Sequence, residues 1–172
     1  MAVLKKKVAV VANQLKRNGT VVAKDVSVEF TLPAFARGEM QNSGTDETPL
    51  LMFDGAMEAK ITGKGIDKAF TEIAAPVSAR YKLVEVQQIN GVDGDVDVES
   101  VEFVFKGKGA GLMSHSSSVG ESSDAEYTVV LSRYEEYLNG EETVLIDRDL
   151  GICRINGTDY FEKKGCCCCK ST

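Results

Sequence analysis

Asn-Gly recurs along this chain, at Asn18-Gly19, Asn90-Gly91, Asn139-Gly140 and Asn156-Gly157. The pair supplies two consecutive residues that tolerate positive φ, which is what a tight type I′ hairpin turn demands. The last three sit between runs rich in Val, Ile, Phe and Tyr. Residues 81–88 and 92–106 flank the first of these, 126–138 and 142–147 the second, 153–155 and 159–161 the third. Each predicts a hairpin, so the chain is committed to antiparallel pairing between sequence neighbours.

The rest of the pattern agrees. Val26, Val28 and Phe30 alternate with polar residues, as do Met57, Ala59 and Ile61, which is the period of a half-buried strand. Only one segment has helical period: Ile66, Ala69, Phe70, Ile73 and Val77, with Asp67 in the first turn and Pro76 closing it after about ten residues. Within 92–106 the apolar parity changes between Val96, Val98 and Val101, Phe103, Phe105, which predicts a bulge near Glu99-Ser100. Residues 1–24 read as an N-terminal arm, 36–49 as a long polar loop, 107–125 as a Gly- and Ser-rich loop, and 165–172 as a Cys-rich tail. The expectation is a mainly β domain over 1–164: seven or eight strands in an antiparallel sandwich or barrel, with one flanking helix.

The 172 residues hold 26 acidic and 20 basic side chains, a formal charge of −6, which argues against a general nucleic-acid binder with a basic pI. After Lys5-Lys6-Lys7 only the short run Val8–Ala12 is apolar, against the roughly 7–15 residues of a signal-peptide core. No stretch reaches the ~18 apolar residues of a membrane helix. Synthesis and folding in a cytoplasm are expected, with no membrane anchor.

Candidate chemistry is thin. His115 is the single histidine and sits among serines without a Gly-x-Ser-x-Gly turn, so it reads as a solvated loop residue. Gly107-x-Gly109-x-Gly111 leads into serines rather than a helix, which is no dinucleotide fingerprint. Gly165 to Thr172 resembles a phosphate loop only superficially, because the second glycine and the following helix are missing. Cys166, Cys167, Cys168 and Cys169 are contiguous, whereas structural zinc sites space their thiolates so that the sulfurs converge. They are weak metal candidates, and an accessory tail is the preferred reading. Asp93, Asp95, Asp97 and Glu99 form an alternating acidic row on one strand face, either a solvated face or a surface that repels polyanions.

Three ordered segments resemble the major tail tube proteins of contractile-tailed bacteriophages and R-type pyocins. The first is Val28-Glu29-Phe30-Thr31-Leu32-Pro33 followed by a polar loop with Arg37 and Gly38. The second is Phe103-Val104-Phe105-Lys106-Gly107-Lys108 running into a polar loop that ends at Asp124. The third joins Ser132–Gly140, Val144-Leu145-Ile146-Asp147 and Cys153-Arg154-Ile155-Asn156-Gly157. The resemblance spans about residues 20–164 and contains nothing catalytic; the Cys run has no counterpart in it.

The resemblance implies a non-enzymatic structural subunit without a cofactor. It implies hexameric rings that stack into a tube, with inner sheets joined into one β-barrel lumen. Its implied partners are further copies of itself, a sheath protein, a tape-measure protein, a baseplate tube initiator and a tail terminator, with DNA only in transit. The implied location is a virion tail assembled in a bacterial host cytoplasm. Thr31, Leu32, Pro33, Arg37 and Glu39 become candidates for contacts between rings, and Asp95, Asp97 and Glu99 candidates for the lumen. Tubes of type VI secretion or extracellular injection systems are the rival within this class. A small binding module holding a soft metal on the Cys tail is the rival outside it.

Overall fold

The computed structural model describes residues 6–39, 47–65, 67–90, 96–111, 114–116, 118–119 and 123–161. Its strands are β1 (Lys6–Arg17), β2 (Thr20–Lys24), β3 (Ser27–Thr31), β4 (Ala34–Glu39), β5 (Glu47–Asp54), β6 (Glu58–Lys64), β7 (Ala79–Asn90), β8 (Val96–Gly109), β9 (Ser114–Ser116), β10 (Asp124–Leu138), β11 (Glu141–Asp147), β12 (Ile152–Ile155) and β13 (Thr158–Asp159). Every pairing is antiparallel. The main sheet runs β13-β12-β11-β10-β8-β7-β1-β2 and is open, with no closed barrel. The mainly β, antiparallel expectation holds.

The turns form as the dipeptides require. Asn18 and Gly19, Asn139 and Gly140, Asn156 and Gly157 all have positive φ, between 48° and 88°. Residue 91 lies outside the described residues, but β7 and β8 pair as the Asn90-Gly91 turn predicts.

Strand β10 organises the molecule. Its first half pairs with β6 at the edge where its second half pairs with β11; β9 and β8 share the opposite edge. The halves are divided by a register shift between Leu131 and Arg133, where Ser132 is the extra residue. Before it Ala125, Tyr127, Val129 and Leu131 are buried; after it the buried parity switches to Tyr134. The bulge predicted at Glu99-Ser100 is absent, since β7 and β8 pair without a shift from Ala79↔Gly107 to Asn90↔Val96. Val96 and Val98 are instead exposed (64% and 58%), so no core constrains their parity.

The β3–β6 ribbon folds onto one face of the main sheet. The Phe30 ring lies 5.4, 5.2 and 5.1 Å from those of Phe103, Phe105 and Tyr134, and Tyr81 stacks on Phe105 at 5.1 Å. Leu15, Met57, Ala59, Ile61, Leu83 and Tyr127 complete this core.

The helix is shorter than its periodicity implied: α1 (Lys68–Thr71) passes at once into a 3-10 turn, Glu72–Ala74. Asp67 is its N-cap, accepting from the Lys68 N–H at 2.8 Å, rather than a first-turn residue. Phe70 and Ile73 are buried, but Val77 lies beyond the helical turn and is 61% exposed. This short element closes the end of the core, where Phe70 meets Tyr127 edge-on at 4.8 Å.

Two expectations about connections change. The N-terminal arm is largely sheet, because β1 pairs with β7 along almost its whole length and with β2 on its other side. The ends of the 36–49 loop are strands: β4 and β5 make a separate two-stranded sheet. Polar residues hid both, since edge and two-sided strands need no apolar alternation.

Candidate functional site

With one face of the main sheet packed under β3 and β6, the opposite face carries its charge. Period 2 assigns it Lys16 on β1, Arg80 and Lys82 on β7, Glu102, Val104 and Lys106 on β8, Arg133, Glu135 and Tyr137 on β10, and Asp147 on β11. Arg80 stays 68% open to solvent and Arg133 38%. Two adjoining clefts of about 260 and 480 Å³ share Arg80 and Val104 in their walls.

Glu135 is the electrostatic centre of this face and is itself buried. It accepts from Arg133 Nε at 2.5 Å and from the Tyr137 hydroxyl at 2.7 Å, with Arg80 at 4.0 Å. Arg133 reaches on to Asp147, also buried, at 3.3 Å. The Tyr137 hydroxyl is pushed up to about 12, first by its hydrogen bond to Glu135 and then by burial. Lys82 pairs with Glu102 at 2.8 Å, and Arg154 with Glu142 at 3.1 Å. On the covered face Tyr134 lies well above the ordinary tyrosine range because of burial, reinforced by Glu136, to which it donates at 3.3 Å.

The residues expected to matter are scattered. Thr31 ends β3, Leu32 is exposed, Pro33 is half-buried, and Arg37 and Glu39 fall on β4, opposite Pro49 and Glu47. The base of this β4–β5 hairpin is held by an aromatic cluster, with Phe53 and Phe161 rings 4.6 Å apart and Phe35 6.1 Å from Phe53. Asp97 and Glu99 share parity with Phe103 and Phe105, on the covered side of β8 but beyond the packed region. Asp95 and Cys166, Cys167, Cys168 and Cys169 lie outside the described residues.

His115 is exposed on β9, opposite Ala125. Cys153 is buried, and burial pushes its thiol up, away from the thiolate a nucleophile needs. Among the described residues no cluster of three or more His, Cys, Asp or Glu side chains is placed to hold a metal.

Sequence reasoning missed Arg80, Lys106, Arg133 and Glu135. A signal existed: each flanks a core aromatic, Tyr81, Phe105 or Tyr134, and strand alternation sends it to the other face. What the sequence could not show is which of these neighbours lie side by side.

Comparison with known proteins adds one match. A family model described as phage tail tube protein FII matches residues 12–164. No curated protein matches the chain.

Proposed function

The chain belongs to the phage tail tube protein FII family, and on that premise we propose that it is the tube subunit of a contractile tail or tail-like particle. Rings, hexameric in this reading, stack into a rigid conduit that sheath contraction drives through the target envelope. Tape-measure protein and then DNA would occupy the channel, with a tube initiator and a tail terminator at its ends.

The observation that carries this reading, beside the family match, is the open sheet. It ends in β2 on one side and the two-residue β13 on the other, and an isolated molecule would have to guard such edges. Pairing with neighbouring copies would close the sheet into the barrel that one chain does not form. Exposed aliphatics support self-association too: Val10 and Val11 on β1 and Val96 and Val98 on β8 gather at the same end of three adjacent strands. The separate β4–β5 hairpin, with Leu32 at its root and Arg37 and Glu39 along it, is suited to contacts between rings.

In this reading the charged face of Arg80, Lys106 and Arg133 lines the channel, because the other face is occupied by the core. The parity of β8 then turns Asp97 and Glu99 away from the lumen expected for them.

Negative-stain electron microscopy of the concentrated protein, with reductant and with chelator, tests the reading. Hollow rings or tubes that survive both treatments are expected. A monomer carrying stoichiometric metal, lost on deletion of residues 166–169, would replace it with a metal-binding module.

A further inference from the structure

The registers on the charged face place like charges directly beside one another. Arg80 is the cross-strand partner of Lys106, and Lys106 is in turn the partner of Arg133, so three cations cross β7, β8 and β10 in one row. On the neighbouring register Lys16 of β1 is opposite Lys82 of β7. Strands in a sheet lie about 4.8 Å apart, and like charges directly opposite destabilise the pairing. Nothing in the folding of a lone subunit calls for this arrangement.

The carboxylates at hand neutralise only part of it. Glu135 and Asp147 are taken up by Arg133, and Glu102 by Lys82. Arg80 has only Glu135 at 4.0 Å, while Lys16 and Lys106 make no ion pair with any described residue. These three cations border the two adjoining clefts, on a chain whose net charge is −6. The excess is therefore local and aimed outward.

We propose that this face binds the phosphodiester backbone of DNA, through the row of Arg80, Lys106 and Arg133 with Lys16 beside it. Several uncompensated cations spread over adjacent strands suit a ligand with regularly repeated negative charge better than a single small anion. The contact reads no sequence, since its cations are spaced for phosphates and its affinity comes from counterion release. The inference gives a role to the channel face assigned under the tube reading and rests on that assignment for its biological sense. Lining a channel, it would hold DNA in place until ejection.

Fluorescence anisotropy of a labelled duplex oligonucleotide with unassembled protein tests the proposal. With about three phosphate contacts, affinity falls roughly 40-fold between about 50 and 200 mM salt. Lys16→Gln/Arg80→Gln/Lys106→Gln lowers affinity at least tenfold. Lys24→Gln/Lys64→Gln/Lys68→Gln, which removes the same charge elsewhere, leaves it within about twofold. Absence of wild-type binding at low salt, equal losses in both triple variants, or binding of polyglutamate in place of DNA would each overturn the proposal. The wild-type salt dependence decides the matter even if a variant fails to fold. Micrographs of the same preparations separate the readings: tubes without DNA binding sink this inference alone, whereas DNA binding without rings or tubes sinks the tube.

Discussion

Tyr137 shows how single residues of the charged face set its behaviour. Its hydroxyl donates to a buried carboxylate that Arg133 also serves, so losing the donor leaves Glu135 partly compensated. Tyr137→Phe is expected to cost about 1 kcal/mol near neutral pH, the size of one net hydrogen bond. The pH dependence has a definite sign. The folded hydroxyl is held at about 12 against an ordinary 10.0, so the unfolded chain gives up this proton first as pH rises. The tyrosine's contribution is complete below about pH 10 and is lost through about pH 12. Urea denaturation across that interval should show stability falling in the wild type and falling less steeply in Tyr137→Phe. Equal slopes would mean that the hydroxyl does not stay protonated in the folded protein.

Among the elements, the short helical turn depends on a glycine that no local pattern would single out. A Cβ on Gly109, which has no helix or tight turn of its own to serve, would come within 2.5 Å of the Ala74 carbonyl and the Ile73 oxygen. Those are backbone atoms, and the Gly109 N–H also donates to the Ala75 carbonyl at 3.0 Å. Gly109→Ala should therefore push the helical turn off the end of β8 and cost about 1–3 kcal/mol, as overpacking does. Thermal unfolding of the variant measures the loss, and hydrogen exchange at residues 67–75 locates it. An unchanged midpoint would show that the turn docks more loosely than this geometry requires. The turn is the part of the element pattern read least well: apolar residues at helical spacing marked Phe70 and Ile73 correctly, but Val77 shares that spacing without being helical.

For the whole molecule, the open sheet makes assembly and folding separable. Val96 and Val98 extend beyond the core and stabilise nothing within the subunit that their exposure reveals. Val96→Asp/Val98→Asp is expected to leave the thermal midpoint within a few degrees, because surface changes away from packed sites seldom exceed about 0.5 kcal/mol. The same change should abolish rings and tubes in micrographs and leave a monomer in analytical ultracentrifugation. Tubes of normal yield would place the contacts between copies elsewhere, with the β4–β5 hairpin as the next region to alter.

What this chain is made of could be read directly. Asn-Gly pairs demand positive φ at neighbouring residues, and alternating apolar side chains demand a half-buried strand, so the hairpins follow from local chemistry alone. The tube-family resemblance was legible for the same reason, since its ordered segments are these hairpins. The face of the sheet that would do the work was not legible. Strand period tells which residues share a side, but covering one side takes the β3–β6 ribbon, brought over by β10 as it changes partners and shifts register at Ser132. Arg80, Lys106 and Arg133 are separated widely along the chain and become one row only through the registers of three strands. Local preference determined the elements; cross-strand register and packing, which depend on distant residues, decided where the charge gathers.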